Sequence, residues 1–429
     1  MLGTLLALGT LGCEGLLEVQ DRARYTSVDL DQALKAVADG VEGNLHVSFS
    51  GFVQMTALAS DEMQHSGTWE NWDDMDHGRW RYALSSPGSI NSYAQVRWFS
   101  IDSQERLKRV LGEADAMKSP LMAQVMAVEA WADLVVADSY CEATAAPSGP
   151  AVPYTDLMAQ ARTKLTAAMA VAQASGATKY YNLALAGRAR ANLWLEDYAA
   201  ALADAKAVPA GFLYDAVHST ASGRQNNSIV TLATWGENKA GTVRAKWWPL
   251  YDAATFRLKD PYSGQPDPRL AVRYTPGDKA VDGITDFYSQ WKYQARGDNI
   301  AMTKKGEMLL IEAEVYWRQN NLAQAMTALN TLRTAAGLTP HSTTPMPSGE
   351  KVFEYFMHEM FAELFLEGRR FAYLHRLGQV AKIFGEMNDP HRPLPRPTMF
   401  AMSSAEALYN DNIEDDLAKR CLPMSGTSY

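Results

Sequence analysis

Apolar residues recur at helical spacing along most of this chain, and few stretches alternate as a half-buried strand does. Residues Ser27 to Val41 open with Ser and Asp capping candidates and continue as LDQALKAVADGV, which predicts an early helix. Gln104 to Ala114 and Pro120 to Tyr140 predict a second helical pair, and PLMAQVMAVEAWADLVVADSY is apolar on most faces, as a buried helix is. Pro147 to Pro153 interrupts the pattern, and Tyr154 to Ala174 resumes it up to Ser175-Gly176. Tyr180 to Val208 then carries small residues at Ala186, Ala189 and Ala201 around a break near Glu196-Asp197. Small side chains at that spacing let two antiparallel helices approach closely, as in a tetratricopeptide hairpin. Glu307 to Ala335 repeats the plan, with Ala313, a turn at Asn320-Asn321, and Ala325. The copies start more than a hundred residues apart, so they do not form a fixed-period array.

Between them the periodicity fades. Residues 213–305 are rich in Gly, Pro, Asn, Asp and Trp and include the strand-like DFYSQWKYQ. Ser60 to Ser92 is a second irregular stretch. The predicted architecture is mostly α: a tetratricopeptide-like helical scaffold over about 27–212 and 306–380, a long loop-rich insertion over about 213–305, and an irregular tail over 381–429, all one domain from residue 13 onward. Loops that long in a helical protein are uncommon unless they carry function.

Composition narrows the classes. The chain has 429 residues, 47% of them hydrophobic, enough for one large core. Its 49 acidic and 40 basic residues give a net charge of −9, which argues against nucleic-acid binding. The apolar run MLGTLLALGTLG, residues 1–12, reads as part of a secretion leader, with Cys13 as the lipid-modified first residue of the mature chain. Such a run is too short to span a bilayer, so the mature protein is expected to be lipid-tethered. Cys141 and Cys421 would then share an oxidising compartment, either as a disulfide that pins the tail or as separate buried thiols.

No stretch carries a catalytic constellation, a phosphate-cradling loop or a cofactor motif. His358-Glu359 begins like a zinc-protease helix, but HEMFA lacks the second His, so a surface helix is the expectation. Asp73, Asp74, Asp76 and His77 lack the closing Glu of a calcium loop and read as a solvated acidic loop. The aromatic residues of the irregular stretches are the candidates for binding: Trp69, Trp72, Trp80 and Tyr82 in the first, and Trp247, Trp248, Tyr251, Tyr288 and Trp291 in the insertion. Their rings can stack on the C–H faces of sugars while Asn71, Asp73, Arg244 and Lys246 bond the hydroxyls. For any one ring, anchoring its loop to the helical body is the favoured reading, and at least one exposed aromatic platform is expected among the set.

Two C-terminal strings add a resemblance. Glu312 to Leu338, with Asn330, Arg333 and Gly337, and the EL-x-x-EG-x-R-x-x-x-L-x-R-x-G string of Glu363 to Gly378 resemble the signature of the SusD/RagB family of nutrient-binding lipoproteins. Asp267-Pro268-Arg269-Leu270 and CEGLLEVQDRARYTS after Cys13 are similar to weaker family elements, and Tyr373 stands where the family usually has Asp. The resemblance implies an outer-membrane, cell-surface lipoprotein that traps an oligosaccharide or peptide and passes it to a SusC-like TonB-dependent transporter, without catalysis or cofactor. Glu367, Arg370 and Arg376 would satisfy one another or helix ends, and Gly368 would allow close packing. A tetratricopeptide-type interaction scaffold and a secreted glycoside hydrolase remain as alternatives.

Overall fold

In the computed structural model, described residues are 26–79, 90–144, 149–234, 236–387 and 394–402, with 406, 410–414, 421 and 423–425 from the tail. The leader, Cys13, Trp80 and Tyr82 lie outside them.

The helices run in order α1 (Ser27–Gln32), α2 (Leu34–Ala59), α3 (Glu70–His77), α4 (Ile90–Leu111), α5 (Glu113–Ala116), α6 (Pro120–Ser139), α7 (Tyr154–Ser175), α8 (Thr178–Trp194) and α9 (Tyr198–Ala207). After α10 (Ser228–Ala233) they resume as α11 (Lys305–Arg318), α12 (Leu322–Ala335), α13 (Gly349–Glu363), α14 (Arg370–Arg376) and α15 (Val380–Met387). The chain is mostly α, as its periodicity predicts. Helix α6 is capped by Ser119 and starts on Pro120. It is long and apolar enough to cross a membrane, but it is buried in the core against α2, α4, α7 and α8. Trp131 completes its burial by donating its indole N–H to the Leu183 carbonyl at 3.0 Å.

The two hairpins use the same turn. Glu196 and Asn320 adopt left-handed φ values of 59° and 56°. Asp197 and Asn321 then cap α9 and α12 by accepting the backbone N–H groups of Ala200 and Gln324. Although distant in sequence, the hairpins meet in space, because α11 packs on α9. The principal apolar core runs through α2, α4, α6, α7 and α8, and a smaller one lies between α11, α12 and α13.

Two elements differ from expectation. The first long helix continues to Ala59, well beyond Val41, because residues 48–59 are buried on every side and so show no polar face in sequence. The insertion is more ordered than its composition suggests. It contains β4 to β9, Leu213–Ala216, Gly241–Val243, Tyr251–Asp252, Arg257–Lys259, Pro266–Arg273 and Ser289–Gln290, and ends in β10 (Ile300–Lys304). Strands β6-β7-β8-β9 form an antiparallel sheet. β4 pairs with β10, closing the insertion at its base, and β5 pairs with β1 (Met63–His65) from the first irregular stretch. Strands β2 (Glu142–Thr144) and β3 (Ala151–Pro153) form a separate hairpin.

Candidate ligand-binding face

The C-terminal signature works as a charged hub. Glu359, Glu363 and Glu367 follow at four-residue spacing, and each takes cations from the insertion or its flank. Arg269 of β8 reaches Glu359 at 2.8 Å and Glu363 at 3.4 Å. Glu367 accepts from Lys292 at 2.6 Å and from Lys304 of β10 at 2.8 Å. Arg370 grips Asp61 through two contacts, 2.6 and 2.9 Å, and Lys246 bonds the same carboxylate at 3.0 Å. Burial alone would raise the pKa of Asp61, but Arg370 and Lys246 outweigh it and hold the carboxyl far below the usual range. Glu367, Arg370 and Arg376 therefore do not pair with one another. Each reaches another segment, Arg376 reaching Glu314 of α11. Gly368 has φ 73°, and a Cβ there would stand 3.2 Å from Val53 and 3.3 Å from Phe52, so the expected close packing is present.

This hub sets the aromatic segments in place. The Trp247 ring stacks on Phe361 of α13 at 4.1 Å, and its N–H donates to the Asp61 carbonyl at 2.6 Å. Its geometry is that of an anchor. Trp72 is half-buried and packs on the principal core. Trp291 carries the Arg273 guanidinium over its ring at 4.9 Å. Tyr293 hydrogen-bonds the Leu366 carbonyl, next to the Lys292–Glu367 pair.

Trp248, Tyr288 and Tyr274 form a continuous stack. Tyr288 lies between the other two, with centroids 4.5 Å from Trp248 and 4.1 Å from Tyr274 and planes within 13° and 3°. Tyr251 meets Tyr288 and Tyr274 edge-on. The Trp248 N–H donates to the Val243 carbonyl, and the Tyr251 hydroxyl accepts from the Tyr274 N–H, so the rings are fixed in direction. All four are half-buried. Tyr274 was not among the residues singled out in sequence, since it sits alone in a turn-like stretch. Its place opposite Tyr288 comes from the pairing of β8 with β9.

Trp69 is 45% exposed and stands apart. β1 and β5 are antiparallel, with Met63 opposite Val243 and His65 opposite Gly241. The chain leading to Trp69 leaves this pair at one end and the chain leading to Trp248 at the other.

Of the polar partners expected beside the rings, Arg244 and Lys246 are engaged by buried carboxylates, Asp73 lies in a surface pair, and Asn71 is exposed. Arg244 is 2% exposed and bonds Asp76 at 2.7 Å. Asp76 also accepts the His65 N–H, so the acidic run is helix α3 with one buried carboxylate and not a solvated loop. Asp73 pairs with Arg79 and His77. His358 and Glu359 are buried, against the surface helix expected. With Asp260 they could hold a metal ion, but Arg333 lies among them, 2.8 Å from Asp260 and 2.7 Å from Glu359, and supplies the positive charge. Cys141 and Cys421 come together as thiols, and Cys141 Sγ donates to the Cys421 carbonyl at 2.7 Å without a disulfide bond. Burial pushes the Cys141 thiol far up.

Fold and site together define a helical scaffold whose C-terminal helices position a set of aromatic loops. Residues 259–398 match the model of the SusD family. The chain is similar in fold to a SusD superfamily protein from Bacteroides vulgatus, with 15% identity over 90% of this chain and 98% of that one and a TM-score of 0.69. It is similar in the same way to a SusD superfamily protein from Bacteroides thetaiotaomicron, at 14% identity, coverage of 89% and 97%, and a TM-score of 0.66. Surface glycan-binding protein A from Bacteroides uniformis shares 13% identity over 91% of this chain and all of that one, at a TM-score of 0.66. A laminarin binding SusD-like protein shares 13% over 86% and 98%, at 0.56. No curated protein matches the chain. The similarity to the SusD family lies in the C-terminal third of the chain, and the solved structures share its fold.

Proposed function

We propose that this protein captures an oligosaccharide on its aromatic face and delivers it to a SusC-like TonB-dependent transporter, as a lipid-anchored protein of the outer-membrane surface. The observation that carries the reading is the Trp248–Tyr288–Tyr274 stack with Tyr251 at its edge. A central Tyr288 with both faces covered cannot accept a ligand, but it presents Trp248 and Tyr274 as rigid outer plates. Rings already ordered lose little freedom on binding, and flat plates suit the apolar faces of pyranose rings. A glycan is favoured over a peptide because Arg244 and Lys246 beside the rings are committed to the buried Asp76 and Asp61, which favours stacking and neutral hydrogen bonding. Two similar structures bear glycan or laminarin binding in their names, which agrees with that choice. The reading is one of binding without turnover.

Affinity electrophoresis of the mature protein in gels containing soluble polysaccharides tests the capture step. Retardation by at least one glycan is expected, weakened by about tenfold in Trp248→Ala and Tyr274→Ala. Retardation unchanged in both variants would remove the stack from the account. Co-purification of a barrel transporter with the tagged lipoprotein from native membranes tests delivery.

A further inference from the structure

The tail beyond α15 returns to the first half of the chain, and its fixed points converge on Cys141. The segment 396–400 pairs at one end with residues 139–141. There the Phe400 N–H donates to the Ser139 carbonyl at 2.8 Å, and the Phe400 carbonyl accepts the Cys141 N–H at 3.0 Å, beside a parallel bridge of Tyr140 with Phe400. At its other end the same segment pairs with residues 423–425. The Thr398 N–H donates to the Pro423 carbonyl and the Ser425 N–H to the Arg396 carbonyl, both at 2.8 Å, beside an antiparallel bridge of Pro397 with Met424. Backbone pairing therefore brings Cys421 to Cys141, which lies 280 residues away in sequence. The segment also carries Arg396 into the interior. Its guanidinium donates to the Asp76 carbonyl at 3.2 Å and lies over the Phe384 ring at 3.7 Å.

The two sulfurs differ in character. Cys141 is 2% exposed, and burial makes its thiol a poor acid. Cys421 is half-buried, and contact with the Cys141 side chain holds its thiol below the ordinary value, with burial and the Glu142 charge opposing. A reachable, more acidic thiol against a buried one is the arrangement that thiol–disulfide exchange needs, since the thiolate attacks and a second sulfur must stand ready to displace. Among the described residues these are the two cysteines, so each has the other as its partner.

We propose that Cys141 and Cys421 form a disulfide in the mature protein, a covalent staple between the tail and the helical scaffold. The proposal rests on the surface-lipoprotein reading, because such bonds persist outside the cytosol and are reduced within it. The oxidant is a disulfide, RSSR. The Cys421 thiolate attacks one of its sulfurs, forming a mixed disulfide and releasing RS⁻. The Cys141 sulfur then gives up its proton, attacks the Cys421 sulfur and displaces the second RS⁻. Two protein thiols become one disulfide, and RSSR leaves as two RSH. A bond that closes so long a loop removes much freedom from the unfolded chain.

The test begins with the full protein in fractionated native cells, alkylated with iodoacetamide under denaturing conditions without reductant, then digested and weighed by mass spectrometry. A peptide pair joined through Cys141 and Cys421, separated by dithiothreitol, is expected in the outer-membrane fraction. Both thiols alkylated in protein from that fraction would overturn the disulfide and leave the surface reading standing. Alkylated thiols in protein found in the cytosol would overturn both. Melting supplies a second measurement. A phosphine reductant should lower the melting temperature of wild type by several degrees, while Cys421→Ser melts at the lower value and ignores the reductant. A wild type whose melting does not respond to reductant would contradict the staple.

Discussion

Glu62 is fully buried beside Asp61, accepting the Leu366 N–H at 2.7 Å. Burial is the main cause of its raised pKa, with the Asp61 charge adding to it and the Leu366 bond opposing, and the result is about 7. The unfolded carboxyl titrates near its ordinary value of 4.5. Between those values the folded protein holds a proton that the unfolded chain has lost, so this group's contribution to stability falls as pH rises, by about 1.4 kcal/mol per unit. Asp61 has the opposite sign: its pKa is depressed, and the stability it brings is present above its unfolded value and lost in acid. Glu62→Gln keeps an acceptor for Leu366 and removes the ionisation. Melting followed by circular dichroism should show it more stable than wild type at pH 8 and nearly equal at pH 4.5; a variant no more stable at pH 8 would contradict the assigned protonation. Arg370→Leu strips the bidentate partner from a buried carboxylate and should cost about 3–5 kcal/mol in denaturant unfolding.

At the scale of elements, the shared turn of the two hairpins gives a matched pair of experiments. Asp197→Ala and Asn321→Ala each remove a helix N-cap and should cost about 1 kcal/mol. Glu196→Gly and Asn320→Gly relieve a left-handed φ and should be neutral or stabilising by up to about 1 kcal/mol, read by thermal melting. These turns were legible in the sequence, because a break between small-residue helices has few solutions. So were α6, α7 and the hairpin helices, whose apolar spacing is regular. The second half of α2 was not, since a helix buried all round loses the polar face that reveals its period. The strands of the insertion are short, two to eight residues, and are fixed by pairing and by the carboxylates at 359, 363 and 367 more than by local propensity. The candidate site was half legible for the same reason. Trp248, Tyr251 and Tyr288 stood out by type, whereas Tyr274 and the anchoring role of Trp247 depend on partners far along the chain.

In the whole molecule, the helical scaffold and the insertion are joined by buried charge. Arg269, Lys292 and Lys304 from the insertion meet the carboxylates of the signature string, and Arg370 with Asp61 carries the connection on to Lys246 and Trp247. Ion pairs of this kind are poor sources of net stability compared with apolar packing, yet breaking one partner is costly. Their consequence here is orientation: the signature strings hold the segments that carry the aromatic rings in one arrangement. The most direct test of that claim is isothermal titration of a glycan retained by the mature protein against wild type, the double variant Trp248→Ala/Tyr274→Ala, and Trp247→Ala. The account predicts that the double variant stays folded with its affinity reduced by at least tenfold, and that Trp247→Ala loses thermal stability along with affinity. A folded double variant that binds the glycan as tightly as wild type would contradict it.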